Sequence, residues 1–185
     1  MSRSSVARAQ DLIRAAFAAV VHPGDDRLVD GQADWGPGTE PARVAAAFRG
    51  QPDWRALAVD FLDGAPDGLG SALSFFGDDA FRCYLPAYLL ADLDGVLQQA
   101  DPVFHLTHGL DDHGRGELVS PQRYGEWTWF EQCQRRFAGF TPAQAAAIVA
   151  YLEVVAARSP CDRPAIAQAL ASYWAARASG VGPAG

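Results

Sequence analysis

Apolar residues recur along this chain at intervals of three and four far more often than at intervals of two. Val6, Ala9, Ile13, Ala16, Phe17 and Val20 form the first such series, and the spacing predicts a helix over 6–21 with one apolar face. His22-Pro23-Gly24 should stop it, because Pro23 cannot extend the hydrogen-bond ladder and Gly24 admits a positive φ. Residues 25–39 read as a loop rich in Asp and Gly, with Trp35 its one large anchor. A short helix is predicted over 41–48, where Pro41 suits the first turn and Gly50 is a stop signal. Trp54, Leu57, Ala58, Phe61 and Leu62 share the next helical face, over 54–62, and 63–68 is a turn.

The densest apolar region is 69–97. Phe81, Tyr84, Leu85, Tyr88 and Leu89 recur at helical spacing behind Asp78, a suitable N-cap, and Asp94-Gly95 closes the run. Pro86 stands inside it. Proline in a helix interior costs about 3 kcal/mol, so two helical pieces are expected to meet near Leu85-Pro86 as a kinked helix. Such a bend frees carbonyls near Phe81 and Arg82, which the Tyr84 and Tyr88 hydroxyls, or Arg82 with Asp78 or Asp79, are placed to satisfy.

The last third is clearest. Residues 126–137 predict a helix with Trp127, Phe130, Cys133, Gln134 and Phe137 inward. Thr141-Pro142-Ala143-Gln144 is a capping box with proline at N1, and the helix behind it turns Ile148, Tyr151, Leu152 and Val155 to one side. Asp162-Arg163-Pro164 opens a final helix carrying Ile166, Leu170, Tyr173, Trp174 and Arg177. Only 103–106 hints at a strand, and no internal repeat is visible. The expected fold is all-α: a single-domain irregular bundle of about seven to nine helices over 1–178, followed by a frayed tail at 179–185.

Charge narrows the function classes. All 15 basic residues are arginine, which removes lysine Schiff-base chemistry and the P-loop lysine. The net charge of -7 is concentrated in 51–120, where twelve acids face three arginines. Nucleic acid and anionic membrane would be repelled there. No window approaches eighteen consecutive apolar residues, and the short apolar run at 15–21 passes straight into His22-Pro23-Gly24. Cys83, Cys133 and Cys161 are odd in number and form no CxxC pair, which fits a reducing cytoplasm.

Three sets of residues could carry chemistry. His105, His108, Asp111 and His113 lie within nine residues, and imidazole with carboxylate suits zinc, nickel or non-haem iron. If 103–110 is helical, His105 and His108 share a face; if it is a loop, the cluster faces solvent before Gly114 and Gly116. The spacing is not that of a zincin. Asp25, Asp26, Asp30 and Asp34 fail as a calcium loop, since Gly31 at position 6 puts Leu28 at position 3 and Pro37 at position 12; Asp25 reads as a turn former. Tyr84, Tyr88, Tyr124, Trp127, Trp129 and Phe130 are core residues or the lining of a small-molecule pocket, with Tyr84, Tyr88 and Arg82 at the proline bend. Trp129 lies off the inward face of its helix, as an interface anchor would.

Several elements resemble a bacterial group of domains of unknown function. Pro23-Gly24-Asp25-Asp26-Arg27-Leu28-Val29 looks like its P-G-D-D element, and Phe48-Arg49-Gly50 with Trp54 is similar to its F-[RK]-G-x-x-W. Ser74-Phe75, Ala80-Phe81-Arg82 and Tyr84-Leu85-Pro86-Ala87-Tyr88 resemble its F-R-x-Y-L-P-A-Y core, and Phe140-Thr141-Pro142-Ala143-Gln144 with Tyr151-Leu152 its closing helix. The resemblance runs over 12–152 and departs at 101–124, where His105 to His113 match nothing in the group. It implies one folded unit and carries no activity, cofactor or catalytic residue. With no nucleophile elbow, GxGxxG or P-loop, the chain reads as a non-enzymatic protein-interaction domain, accessory or immunity-type, steered by its acidity toward a basic protein. The alternative is a metal-binding protein or metal-dependent enzyme using the histidine cluster. Otherwise no cofactor is expected, and the oligomeric state stays open.

Overall fold

Caps, more than apolar spacing, decide where the elements begin and end. The computed structural model describes residues 3–119 and 126–180. From the amino end the helices are α1 (Arg3–Ala16), α2 (Glu40–Phe48), α3 (Val59–Gly64), α4 (Ala72–Phe75), α5 (Asp78–Leu93), α6 (Pro102–Thr107), α7 (Asp112–Gly116), α8 (Trp129–Phe137), α9 (Pro142–Arg158), α10 (Arg163–Ala169) and α11 (Ala175–Ala178). Among the described residues the sole extended pairings are two isolated antiparallel bridges, Val29 with Phe76 and Leu118 with Thr128. The fold is all-α, as the periodicity predicts. It divides into two compact units, Phe17–Pro102 and Met1–Ala16 with Val103–Gly185. Of the expected tail only Ser179 and Gly180 are described, and Tyr124 also lies outside the described residues.

In the unit Phe17–Pro102 the centre is α5. The two pieces expected to meet at Pro86 are one helix, Asp78–Leu93, with Pro86 inside it. The reason is burial: Phe81, Leu85 and Leu89 are fully buried, as are Tyr84 and Tyr88. Each large apolar side chain so buried contributes roughly 1.5–3 kcal/mol, so three of them outweigh the cost of about 3 kcal/mol for an interior proline. Gly77, not Asp78, is the N-cap, with Phe81 N–H donating to its carbonyl (2.8 Å); Asp78 and Asp79 fill the first turn, where the helix dipole favours them. Packed against α5 is an aromatic cluster: Phe48 against Phe76 (4.7 Å, 87°), Tyr84 (4.8 Å) and Phe61 (4.9 Å).

Two elements of this unit depart from the spacing. The helix predicted over 54–62 is a 3₁₀ turn, Trp54–Ala56, then an extended Leu57 and Ala58, then α3. Asp53 causes the split, its carboxylate taking Arg55 N–H (3.0 Å) and closing the turn on itself. The helix predicted to 21 stops at Ala16, and Ala18 turns its carbonyl to the Arg55 guanidinium (2.5 Å) instead of to a following turn. Pro23 reinforces this, because it disfavours the helical region for His22.

The other unit is organised by caps and by α9. Thr141 and Gln144 form the predicted capping box, and Ile148, Tyr151, Leu152 and Val155 are buried. The helix predicted from 126 begins at Trp129, because Thr128 caps it in a second box with Glu131, while Val119 N–H bonds to Trp127 carbonyl (2.8 Å). The 103–106 segment, a strand candidate by composition, is in α6, with Pro102 at its first position. Between α10 and α11 one wide turn, Leu170–Trp174, is a π-helix. Tyr173 and Trp174, within this turn, are both buried. Trp174 Nε1–H donates to Leu106 carbonyl (2.8 Å), and Arg177 donates to the carbonyls of Ala138 and Phe140 just beyond α8.

One carboxylate holds the end of the first unit. Asp63 accepts from the backbone N–H groups of Gln98, Gln99 and Ala100 at 2.8–3.0 Å. Burial alone would raise its pKa, but those donors prevail and hold it below the ordinary 3.8. The stabilisation is therefore complete above that value and fades as pH falls through the lower folded-state one. Asp63→Asn should lower stability at pH 7 by about 1 kcal/mol and flatten the acid limb of a urea-denaturation pH series. An unchanged acid limb would show that the clamp contributes nothing.

Candidate functional site

The loop 25–35 is held by contacts that its composition conceals. Leu28 and Val29 are buried beneath it, and Leu28 carbonyl accepts from Gly77 N–H (3.0 Å) beside the bridge between Val29 and Phe76. Gln32 folds its side chain back, accepting from Leu28 N–H (3.0 Å) and donating to Asp25 carbonyl (2.7 Å). Gly31, with φ of 61°, supplies the left-handed residue that permits this reversal. Trp35 Nε1–H donates to Asp30 carbonyl (2.8 Å), so the predicted anchor holds its loop by its nitrogen.

The loop is also tied to the core. Asp25 Oδ1 accepts from Gly50 N–H (3.0 Å), and Tyr84 OH donates to the next carbonyl, Gln51 (2.9 Å). Asp25 is therefore a tether over 25 residues rather than a turn former. His22 Nδ1 accepts from Gly24 N–H (3.1 Å), which leaves the ring hydrogen on Nε2. That nitrogen is buried, 3.9 Å from Asp25 Oδ1 and too far for a hydrogen bond. The ring stands edge-on to Tyr84, at 5.9 Å. Thus the P-G-D-D, F-R-G and L-P-A-Y elements meet at one junction. Sequence spacing marks His22 and Gly50 only as helix stops and passes over Gln32, because their contacts are between segments and their types are common.

Chemically this junction is quiet and its rim is not. Burial, with the Asp53 carboxylate next, pushes the Cys83 thiol up to about 11, and burial raises the Tyr84 and Tyr88 hydroxyls as well. Tyr84 and Tyr88 are fully buried, and Tyr88 OH has no hydrogen-bond partner among the described residues. Neither hydroxyl serves a carbonyl of α5. Arg82 turns instead to Asp79 (2.7 Å). In the loop, Asp26, Asp30 and Asp34 are exposed, and none of the three has an arginine partner among the described residues.

In the other unit the histidine segment becomes two short helices. His105 is half-buried on α6, and His108 is exposed, stacked on Phe104 (4.7 Å, 19°). Asp111 caps α7 by accepting from Gly114 N–H (2.7 Å), and exposed His113 faces Glu117 (3.1 Å). Gly114 is required there, since a Cβ would collide with the Gly109 carbonyl. The four side chains are thus divided among different partners, and among the described residues no three His, Cys, Asp or Glu groups stand where they could hold one metal ion. Trp129 is half-buried at the start of α8, its ring against His108 (4.9 Å).

A family model described as a family of unknown function (DUF6714) matches residues 5–178. The chain belongs to that family. No curated protein and no solved structure matches it. The match spans both units, including the histidine segment where the motif resemblance departs.

His105 offers a direct check of this site's packing. Burial, then the Arg136 guanidinium and His108, lower its pKa from 6.5 to about 4. Because the folded-state value is the lower one, its contribution to stability is complete above about 6.5 and is lost as pH falls toward 4. An NMR titration should place the His105 midpoint near 4. A midpoint at 6.5 would mean that α6 leaves the ring in water.

Proposed function

We propose that this chain is a non-enzymatic protein-interaction module, and that its acidic unit, Phe17–Pro102, binds a basic protein. The unit holds fourteen acids and five arginines, a net charge of -9, whereas the other unit is at +2. The observation that carries the reading is the loop of Asp26, Asp30 and Asp34. Its carboxylates are exposed and lack arginine partners among the described residues, yet its backbone is held by Gln32, Trp35 and Asp25. These carboxylates add to the unit's negative charge, and that charge attracts arginine or lysine from a partner. Because the loop is ordered beforehand, little conformational entropy is lost on binding. Charge of this kind acts mainly on the rate of encounter and on the choice of partner.

Affinity purification from the native cell with the full chain tests this. A stoichiometric partner rich in arginine or lysine should be retained at about 50 mM salt and released near 300 mM, where screening lengths fall below roughly 6 Å. The triple variant Asp26→Arg, Asp30→Arg, Asp34→Arg should lose it, while Asp112→Arg on the other unit should keep it. Retention by the triple variant, or the same loss with Asp112→Arg, would refute the assignment.

A further inference from the structure

A groove of about 720 Å³ runs between α1 and α9, which pack against each other in their unit. Its lining is mostly apolar, with Ala9 and Leu12 from α1 and Ala146, Val149, Ala150 and Val154 from α9, and Ser4 and Ser5 of α1 add hydroxyl-bearing side chains. Leu12 is one of the few large apolar side chains left exposed, at 37%. The second helix is unusual for a surface element. In α9 the inward stripe is apolar, as expected, but so is the opposite one, where exposed Ala143 and Ala157 and half-buried Ala146, Val149 and Ala150 are interrupted by Glu153 alone. A helix apolar all round is normally covered on all sides. Water on this stripe is therefore the feature to be explained.

Two charges say what covers it. Arg8 rises from α1 and Glu153 from α9, both lining the groove and both exposed. Neither has an ion-pair partner among the described residues, since Arg14 is the arginine that pairs with Asp11. A surface carrying one unpaired cation on one wall and one unpaired anion on the other is complementary to itself under two-fold symmetry. The direction of the axis follows. A two-fold axis running along the groove sets each α1 on the other copy's α9, with Arg8 toward the partner's Glu153. An axis across the groove sets α1 on α1 and brings arginine toward arginine.

We infer that the chain forms a homodimer through this face, α1 on the second copy's α9, with two symmetry-related Arg8–Glu153 pairs at the rim of an apolar seam. The seam supplies the attraction by removing Leu12 and Val149 from water, and the charges select register and partner. This surface belongs to the unit that does not carry the aspartate loop, so the two proposals stand or fall separately.

Sedimentation equilibrium of the full chain between about 1 µM and about 1 mM tests it, in the range where a modest helix-pair interface associates. A reversible monomer–dimer equilibrium is expected. Arg8→Glu and Glu153→Arg should each weaken it by at least tenfold, because each sets like charges against one another twice. The double variant Arg8→Glu, Glu153→Arg should recover the wild-type constant, since the swapped charges face each other again. Both positions are exposed, and an unchanged helical circular dichroism spectrum verifies the fold of each variant. A monomer throughout the range overturns the inference. So does a dimer indifferent to the single variants, or one that the double variant fails to restore.

Discussion

The unit Phe17–Pro102 depends on one constraint: a helix with a proline in its interior must be surrounded closely enough to stay whole. Pro86 withdraws a backbone donor and crowds the preceding turn, and in water that would divide the helix. Here Phe81, Leu85 and Leu89 are shut away from solvent on both sides of the proline, and the ladder runs from Asp78 to Leu93. The continuity of α5 thus arises from tertiary packing and not from local propensity. The aromatic cluster of Phe48, Phe76 and Tyr84 is the part of that packing nearest the candidate site.

From that helix the order spreads outward by single hydrogen bonds. Tyr84 reaches Gln51, Asp25 reaches Gly50, and Gln32 closes the loop on itself. A loop with several aspartates and glycines would be mobile if left to its composition. Fastened this way, it presents carboxylates on a fixed backbone, and the core becomes relevant to recognition. The other unit follows a parallel logic. Paired capping boxes fix where α8 and α9 start, and the wide turn at Leu170–Trp174 carries two neighbouring aromatic rings of the core.

Much of this was legible in the amino-acid order. The Thr141 box, Pro41 in its first turn, the stop at Asp94-Gly95 and the inward faces of α5 and α9 all follow from periodicity and caps. Boundaries failed where a side chain took a backbone group for itself. Asp53 divided the 54–62 segment, and Arg55 captured Ala18; neither act is written in apolar spacing. Thr128-Trp129-Phe130-Glu131 did carry a cap signal, but the apolar Trp127 extended the apparent helix past it. The candidate site was less legible. Its acids are visible in the sequence, whereas their presentation depends on contacts between distant segments, such as Tyr84 to Gln51 and Leu28 to Gly77.

Native-state hydrogen exchange on α5 is the most direct measurement of the central claim. Amides before Pro86, such as Leu85, and after it, such as Leu89 and Leu90, should exchange only through global unfolding, with one common free energy and one common denaturant dependence. Exchange of the residues after Pro86 through a separate, smaller opening would contradict it. The helix would then be two pieces in contact, and the order of the loop it supports would need another source.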